Sequence, residues 1–488
     1  MVILRQKISY SMESFSEFVT KHENDDIAGL LLSGKFPDNI DHGLAANTIE
    51  VRRKMKRKVP SWYRHPELVY PMKLSGEQCS SEATAMYKAA LAERIFRADN
   101  RTCGHDLGNC CRKPRIADLT GGLGVDSWAF SSVADAVLYN EMNPDLAAAA
   151  EANFAALGCS GITVKSFMTV SSHGKTDGSR RDPETGTGHT AFREMTPENI
   201  IGDFRPDIIF MDPARRSADG SKVFLLEHCS PDVLTLQEEL FSLGRYIMLK
   251  VSPMADTDML LKRLGDTVRQ LHILAAGGEC KEILILMDRE FHGECTVTAA
   301  NFHGYGAVTG PGACNGWAEM EFTLAGLREN DCCGTGSSDL LREGALLYEP
   351  GKALMKAGAF RILDRRFPLE KLGRFTHYYI LDAEASGKLR DELEDFGKFF
   401  VICEVLPLDK RSIKETGEKY PEAEVTARNI KMDTDTLRKK LGVSSGDSVH
   451  IFGLRCDLLP ERKDLLLVTR TCSNRRNSGC KPDTSEGR

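Results

Sequence analysis

The segment Asp118-Leu119-Thr120-Gly121-Gly122-Leu123-Gly124-Val125-Asp126 sets three glycines between two carboxylates. Glycines there let a backbone pass close to a ligand and adopt positive φ. A helix starting behind them offers free N–H groups to an anionic end of that ligand. Seventeen residues beyond Gly124 stands Glu141, followed by Met142. A carboxylate at that spacing can accept hydrogen bonds from both hydroxyls of a ribose. S-adenosylmethionine (SAM), with an amino-acid carboxylate at one end and a ribose at the other, fits both requirements. The expected cofactor contacts are Asp118, Thr120, Gly121, Gly122, Gly124, Asp126, Glu141 and Met142. The dinucleotide pattern G-x-G-x-x-G fails because Ser127 stands where its third glycine belongs.

A second segment, Phe210-Met211-Asp212-Pro213-Ala214-Arg215-Arg216, closes an apolar run. An acid and neighbouring carbonyls at a strand end can accept hydrogens from an amine and aim its lone pair at a sulfonium methyl. Such an in-line displacement draws most of its rate from positioning. Asp212, Pro213, Arg215 and Arg216 are the catalytic candidates, with Lys250 at the end of another apolar run. The arginines suit a phosphate or an acidic acceptor. Cys229 and Cys280 lack the Pro-Cys or Ser-Cys setting of an attacking thiol. The chain has 15 cysteines and no C-x-x-C pair, so reduced thiols and no metal site are expected.

These residues need elements to hold them. Residues 1–114 read as a helical, polar N-terminal region, with helix patterns at Phe15–Val19, Ile27–Leu32 and Ala83–Arg97 and a linker over 98–114. Residues 115–290 alternate strand and helix. Ile116–Leu119, Ala136–Asn140, Ile162–Lys165, Asp207–Met211 and Tyr246–Lys250 are the strands. Asn143 caps a helix with Pro144 at its first position and Gly158 as its stop. The polar stretch 171–190 reads as a disordered insertion. Leu271–Ala275 and Ile283–Met287 are joined by too short a segment for a parallel crossover, so they are expected to pair antiparallel. The predicted fold is therefore α/β: a Rossmann-like sheet ending in an antiparallel hairpin, as in class I methyltransferases. Residues 291–398 read as a connecting domain, 399–472 as a small α+β module, and 473–488 as a disordered tail.

Taken together, these motifs resemble those of a bacterial family, the class I SAM-dependent methyltransferases with a C-terminal THUMP-like domain. The Asp212 loop itself is similar to the D/N-P-P-x loop of nitrogen methyltransferases, with Ala214 in place of the second proline. The family likeness rests on Glu77–Glu82, Asp118–Asp126, Asp212–Arg216, Lys250–Met254, Glu279–Glu282, Tyr348-Glu349-Pro350 and Lys356–Phe360. It implies a Rossmann methyltransferase core, a ferredoxin-like piece within 291–398 and a THUMP-like domain at 399–472. It also implies Glu77–Glu82 at the active site, although that stretch equally reads as a helix cap. THUMP domains proper bind RNA, so the likeness implies an RNA substrate by analogy.

The basic run from Arg52 to Arg64 holds seven Arg or Lys with Trp62 and Tyr63, a pattern that suits phosphates and stacked bases or else a solvated helix face. The net charge of −6 excludes a chain that is basic all over. No apolar run approaches a membrane span, and the N-terminus lacks a secretory signal, so a cytoplasmic enzyme is expected. RNA methylation is the leading reading. Methylation of a protein or small molecule, and non-catalytic RNA binding by a degenerate Rossmann core, are the alternatives.

Overall fold

The structure is a computed structural model describing residues 12–32, 36–37, 39–102, 112–172, 194–214, 226, 229–302, 316–328, 338–381, 387–458 and 463–472. Residues 173–190 of the predicted insertion, the tail and most of the 98–114 linker fall outside these residues, as do Arg215 and Arg216. The chain forms two compact units, one holding most residues up to 296 and the other most residues from 318 onward. No helix of the described residues is long and apolar enough to cross a membrane.

The N-terminal region is helical. Its longest members are α1 (His42–Lys58) and α2 (Glu82–Thr102). Asp41 caps α1 by accepting from the Leu44 amide at 2.9 Å. In α2 the helical spacing puts Thr84, Lys88, Leu91 and Ile95 on one face, and all four are buried.

The first unit is built on parallel strands β1 (Arg115–Asp118), β2 (Ala136–Asn140), β3 (Ile162–Lys165), β6 (Ile208–Met211) and β7 (Tyr246–Val251). Short strands β4 (Met168–Thr169) and β5 (Glu194–Met195) pair separately. Every residue of β6 and β7 is buried, as expected of strands covered on both faces. Helix α3 (Val125–Ser131) follows β1, α4 (Pro144–Ala156) follows β2, and α5 (Val233–Leu243) and α6 (Thr257–Leu264) flank β7. The Asn143 side chain caps α4 and Gly158, at φ 73°, follows its end.

The hairpin is present. Strands β8 (Val268–Ala276) and β9 (Glu279–Asp288) meet at Gly277-Gly278, with φ of 59° and 77°. Positive φ at both positions matches a two-residue hairpin turn. Strand β9 pairs antiparallel with β7, giving the order β3-β2-β1-β6-β7-β9-β8. Beyond residue 290, β10 (Thr296–Phe302) and β11 (Trp317–Thr323) continue the same sheet past β8, making nine strands. The strand order reverses between β1 and β6, where such sheets open a crevice at their carboxyl ends.

The second unit holds a seven-stranded sheet, β13-β14-β12-β15-β18-β17-β16. Its strands are β12 (Leu346–Pro350), β13 (Glu370–Lys371), β14 (Tyr379–Leu381), β15 (Gly397–Pro407), β16 (Glu424–Arg428), β17 (His450–Cys456) and β18 (Lys463–Thr471). Strand β18 is buried on both faces: Leu465 and Leu467 enter one core, and Leu466 and Val468 enter another with helix α8 (Thr434–Leu441) and Ile413 of α7 (Lys410–Lys419).

Candidate active site

Both chemistry-bearing loops leave the sheet at its switch point, one after β1 and one after β6. Asp118 ends β1 fully buried. Its carboxylate accepts from the Thr120 amide at 3.1 Å and the Ser127 hydroxyl at 2.7 Å, so these bonds shape the loop from within. Burial, helped by the nearby Asp126 and Asp212 charges, pushes its pKa up to about 7 against the pull of those two hydrogen bonds.

The glycines are needed where they stand. A Cβ on Gly121 would sit 2.1 Å from the Tyr139 ring, and one on Gly124, at φ 91°, would meet the Phe154 ring at 2.6 Å. Tyr139 cannot yield easily, because its hydroxyl donates to the Gly122 carbonyl at 2.6 Å. The Gly122 amide donates to Glu141 Oε2 at 2.8 Å, and the Asn143 amide donates to Glu141 Oε1 at 2.8 Å. Glu141 is thereby fixed beside the glycine turn, and burial raises its pKa despite these amides. Met142 beside it is 39% exposed. Asn140 brackets Phe167 from β2, accepting from its amide at 3.1 Å and donating to its carbonyl at 2.9 Å.

The two loops are joined. The Asp212 amide donates to Thr120 Oγ1 at 2.6 Å. The Asp212 side chain accepts from Lys250 Nζ at 2.6 Å. Pro213 is buried and Ala214 exposed after it. Burial works against the Lys250 ammonium, but Asp212, Glu282 and Asp126 outweigh it and hold its pKa above the usual lysine value. Asp126, expected to touch cofactor, lies in a buried cluster. It accepts from the Ser80 hydroxyl at 2.7 Å and pairs with Lys88 at 2.9 Å.

Two members of that cluster escaped the sequence reading. Lys88 is fully buried and donates to Ser80 Oγ at 2.8 Å and Glu282 Oε1 at 2.9 Å. Glu282 Oε2 lies 3.7 Å from Lys250 Nζ. The available signal was a lysine on the apolar face of α2 and a glutamate opening the apolar run of β9. In the Glu77–Glu82 stretch Ser81 accepts from the Thr84 amide at the start of α2, as a helix cap does, and Ser80 donates to Asp126.

The basic run does not form the stacking platform that its composition suggested. Trp62 is fully buried, 6.4 Å from Tyr70 and 6.0 Å from Trp128 between ring centroids. Arg52 is 6% exposed and donates to Glu23 and to the His65 carbonyl. Arg53 donates to the Glu23 and Asp25 carbonyls, Lys54 to Glu77, and Lys58 to the Gly76 and Glu77 carbonyls. Lys56, Arg57 and Arg64 remain exposed.

Comparison with known proteins agrees with this architecture. A family model described as a ferredoxin-like domain matches residues 346–386, and one described as THUMP domain-like matches residues 397–471. A crystal structure from Porphyromonas gingivalis W83, provisionally described as a methyltransferase, is 25% identical, covers 95% of this chain and 98% of its own, and has a TM-score of 0.71. A ribosomal protein L11 methylase from Lactobacillus delbrueckii subsp. bulgaricus is 15% identical over 46% of this chain and 83% of its own, with a TM-score of 0.25. An rRNA methylase from Streptococcus thermophilus is 10% identical over 36% of this chain and 86% of its own, with a TM-score of 0.23. These last two likenesses are too distant to bear on function. The search of curated proteins gave no match. The chain thus joins a class I methyltransferase fold to C-terminal ferredoxin-like and THUMP-like domains, the family architecture its sequence resembles.

Proposed function

We propose that the protein is a SAM-dependent methyltransferase whose acceptor is a base nitrogen of RNA. The observation that carries the enzyme reading is the bond between the Asp212 amide and Thr120, which makes the cofactor loop and the acceptor-side acid two walls of one crevice. The residues present suit SAM. The turn at Gly121 and Gly124 has no room for a Cβ, and Glu141 is already oriented by two amides beside it. When bound, SAM supplies an electrophilic methyl on sulfur. Asp212, held by Thr120 and Lys250, takes the proton that the acceptor nitrogen loses as the carbon–sulfur bond breaks and the carbon–nitrogen bond forms. Likeness to the Porphyromonas gingivalis protein along nearly the whole chain supports this reading. The THUMP-like match at 397–471 supports RNA. The inward use of Arg52, Arg53, Lys54 and Lys58 favours, as a second reading, a protein or small-molecule acceptor.

Thermal shift separates the cofactors, since a ligand of the native state raises the melting point by mass action. SAM or its demethylated product, S-adenosylhomocysteine, is expected to stabilise the protein and NAD is not. Asp118→Ala and Glu141→Ala are expected to abolish the shift. Asp212→Ala is expected to keep it while losing roughly 10²-fold or more in transfer. Absence of any shift with either sulfur ligand overturns the reading. Mass mapping of RNA nucleosides from cells lacking the protein identifies the acceptor.

A further inference from the structure

We propose that Glu282 is a positioning residue for the acceptor-side acid, holding the Lys250 ammonium on Asp212 and tying that pair, through Lys88 and Asp126, to the cofactor loop. This rests on the methyltransferase reading and adds to it one residue of strand β9 and one of the N-terminal helix α2.

The geometry is a chain of charges from one side of the crevice to the other. Asp126 pairs with Lys88 at 2.9 Å, Lys88 with Glu282 Oε1 at 2.9 Å, Glu282 Oε2 faces Lys250 at 3.7 Å, and Lys250 meets Asp212 at 2.6 Å. Lys88, Asp126, Lys250 and Glu282 are all at most 8% exposed. Each lysine already has a carboxylate of its own, in Asp126 and Asp212, so Glu282 is not required for charge balance between the two pairs. It is a third buried carboxylate, and burying an ionised group is costly unless it is paired and hydrogen-bonded. Its position between two lysines gives that cost a use. Lys250 carries its charge on a flexible four-carbon stem. With Asp212 in front and Glu282 behind, that stem is restrained at its tip. Asp212 is then fixed at its amide by Thr120 and at its carboxylate by Lys250, so a reacting group there is held at both ends. Lys250 otherwise faces Asp126 as a further carboxylate, the Cys79 thiol, and Lys58 as a cation.

Glu282→Gln keeps the side chain's size and, through its amide oxygen, an acceptor for Lys88, but it turns an NH2 donor toward Lys250 and removes the charge. Three measurements on the full chain test the proposal: S-adenosylhomocysteine affinity by calorimetry, the order of the Lys250 side chain followed at neutral pH by carbon-13 relaxation of its Cε, and single-turnover transfer from labelled SAM to RNA from cells lacking the protein. Glu282→Gln is expected to keep the affinity, to loosen the Lys250 Cε, and to slow transfer by roughly 10²-fold. Glu282→Asp, which keeps the charge, is expected to recover part of the rate, and carries the same measurements if Glu282→Gln does not fold. A Lys250 side chain as ordered, and a transfer rate as fast, in Glu282→Gln as in the wild type overturn the proposal. A wild-type protein without affinity for S-adenosylhomocysteine overturns the methyltransferase reading instead, and the Lys250 comparison still decides whether Glu282 positions the lysine.

Discussion

Asp118 illustrates how one buried side chain couples the cofactor loop to pH. Its ordinary pKa is 3.8, and burial in the folded chain lifts it to about 7. Between these values the native state holds a proton that the unfolded chain releases. Stability from this residue is therefore complete below about pH 4 and is lost as pH rises toward 7, by about 1.4 kcal/mol per pH unit at most. Asp118→Asn is expected to remove that slope. The amide can still accept from the Thr120 N–H through its oxygen and donate to the Ser127 hydroxyl through its nitrogen, so the loop should keep its shape. Urea midpoints of the ligand-free protein at pH 5 and pH 8 test this. The wild type should lose stability between the two and the variant should lose less. Equal losses would mean that Asp118 is ionised across the whole range.

At the scale of elements, α4 does more than cover the sheet. Asn153 on its inner face is 1% exposed and bonds both polar groups of Val69, accepting from its amide and donating to its carbonyl at 2.9 Å each. It thereby sutures the segment between α1 and α2 to the Rossmann core. Asn153→Leu leaves two buried backbone groups without these partners, at a cost of about 1–3 kcal/mol each. A melting point several degrees lower is the expected result, and a change within experimental error would show that Val69 finds other partners. The strands and the start of α4 were legible in the sequence because each has a local signature: apolar runs for β6 and β7, and Asn-Pro at the helix start. The hairpin was legible from the shortness of its connection. The suture and the Lys88–Glu282 pair were not, because their partners lie 84 and 194 residues apart and only the folded chain brings them together. The basic run misled for a related reason. Composition shows seven cations and two aromatics, but not that Trp62 faces inward or that carbonyls at Glu23 and Gly76 await the cations.

For the molecule as a whole, a net charge of −6 means that the summed field repels a polyanion, so an RNA acceptor requires a local cationic surface. With much of the Arg52–Lys58 run engaged internally, the THUMP-like domain is the place to look. The last turn of α8 carries Arg438, Lys439 and Lys440. Arg438 is held by Glu424 at 3.2 Å, while Lys439 and Lys440 are exposed. On α7, Arg411 and Lys414 are matched by Glu415 and Glu418 one turn on, which dilutes their field. If α8 supplies phosphate contacts, the double reversal Lys439→Glu with Lys440→Glu should weaken RNA binding at least tenfold and reduce the dependence of log affinity on log salt by about two contacts. S-adenosylhomocysteine affinity should not change, because the residues proposed to hold it belong to the other unit. Filter binding of bulk transfer RNA across a salt series reads both quantities. An unaltered salt slope would remove α8 from the RNA surface. A wild-type protein that binds no RNA at low salt would shift the balance to the protein or small-molecule acceptor, leaving the chemistry proposed at Asp212 intact but its target to be sought elsewhere.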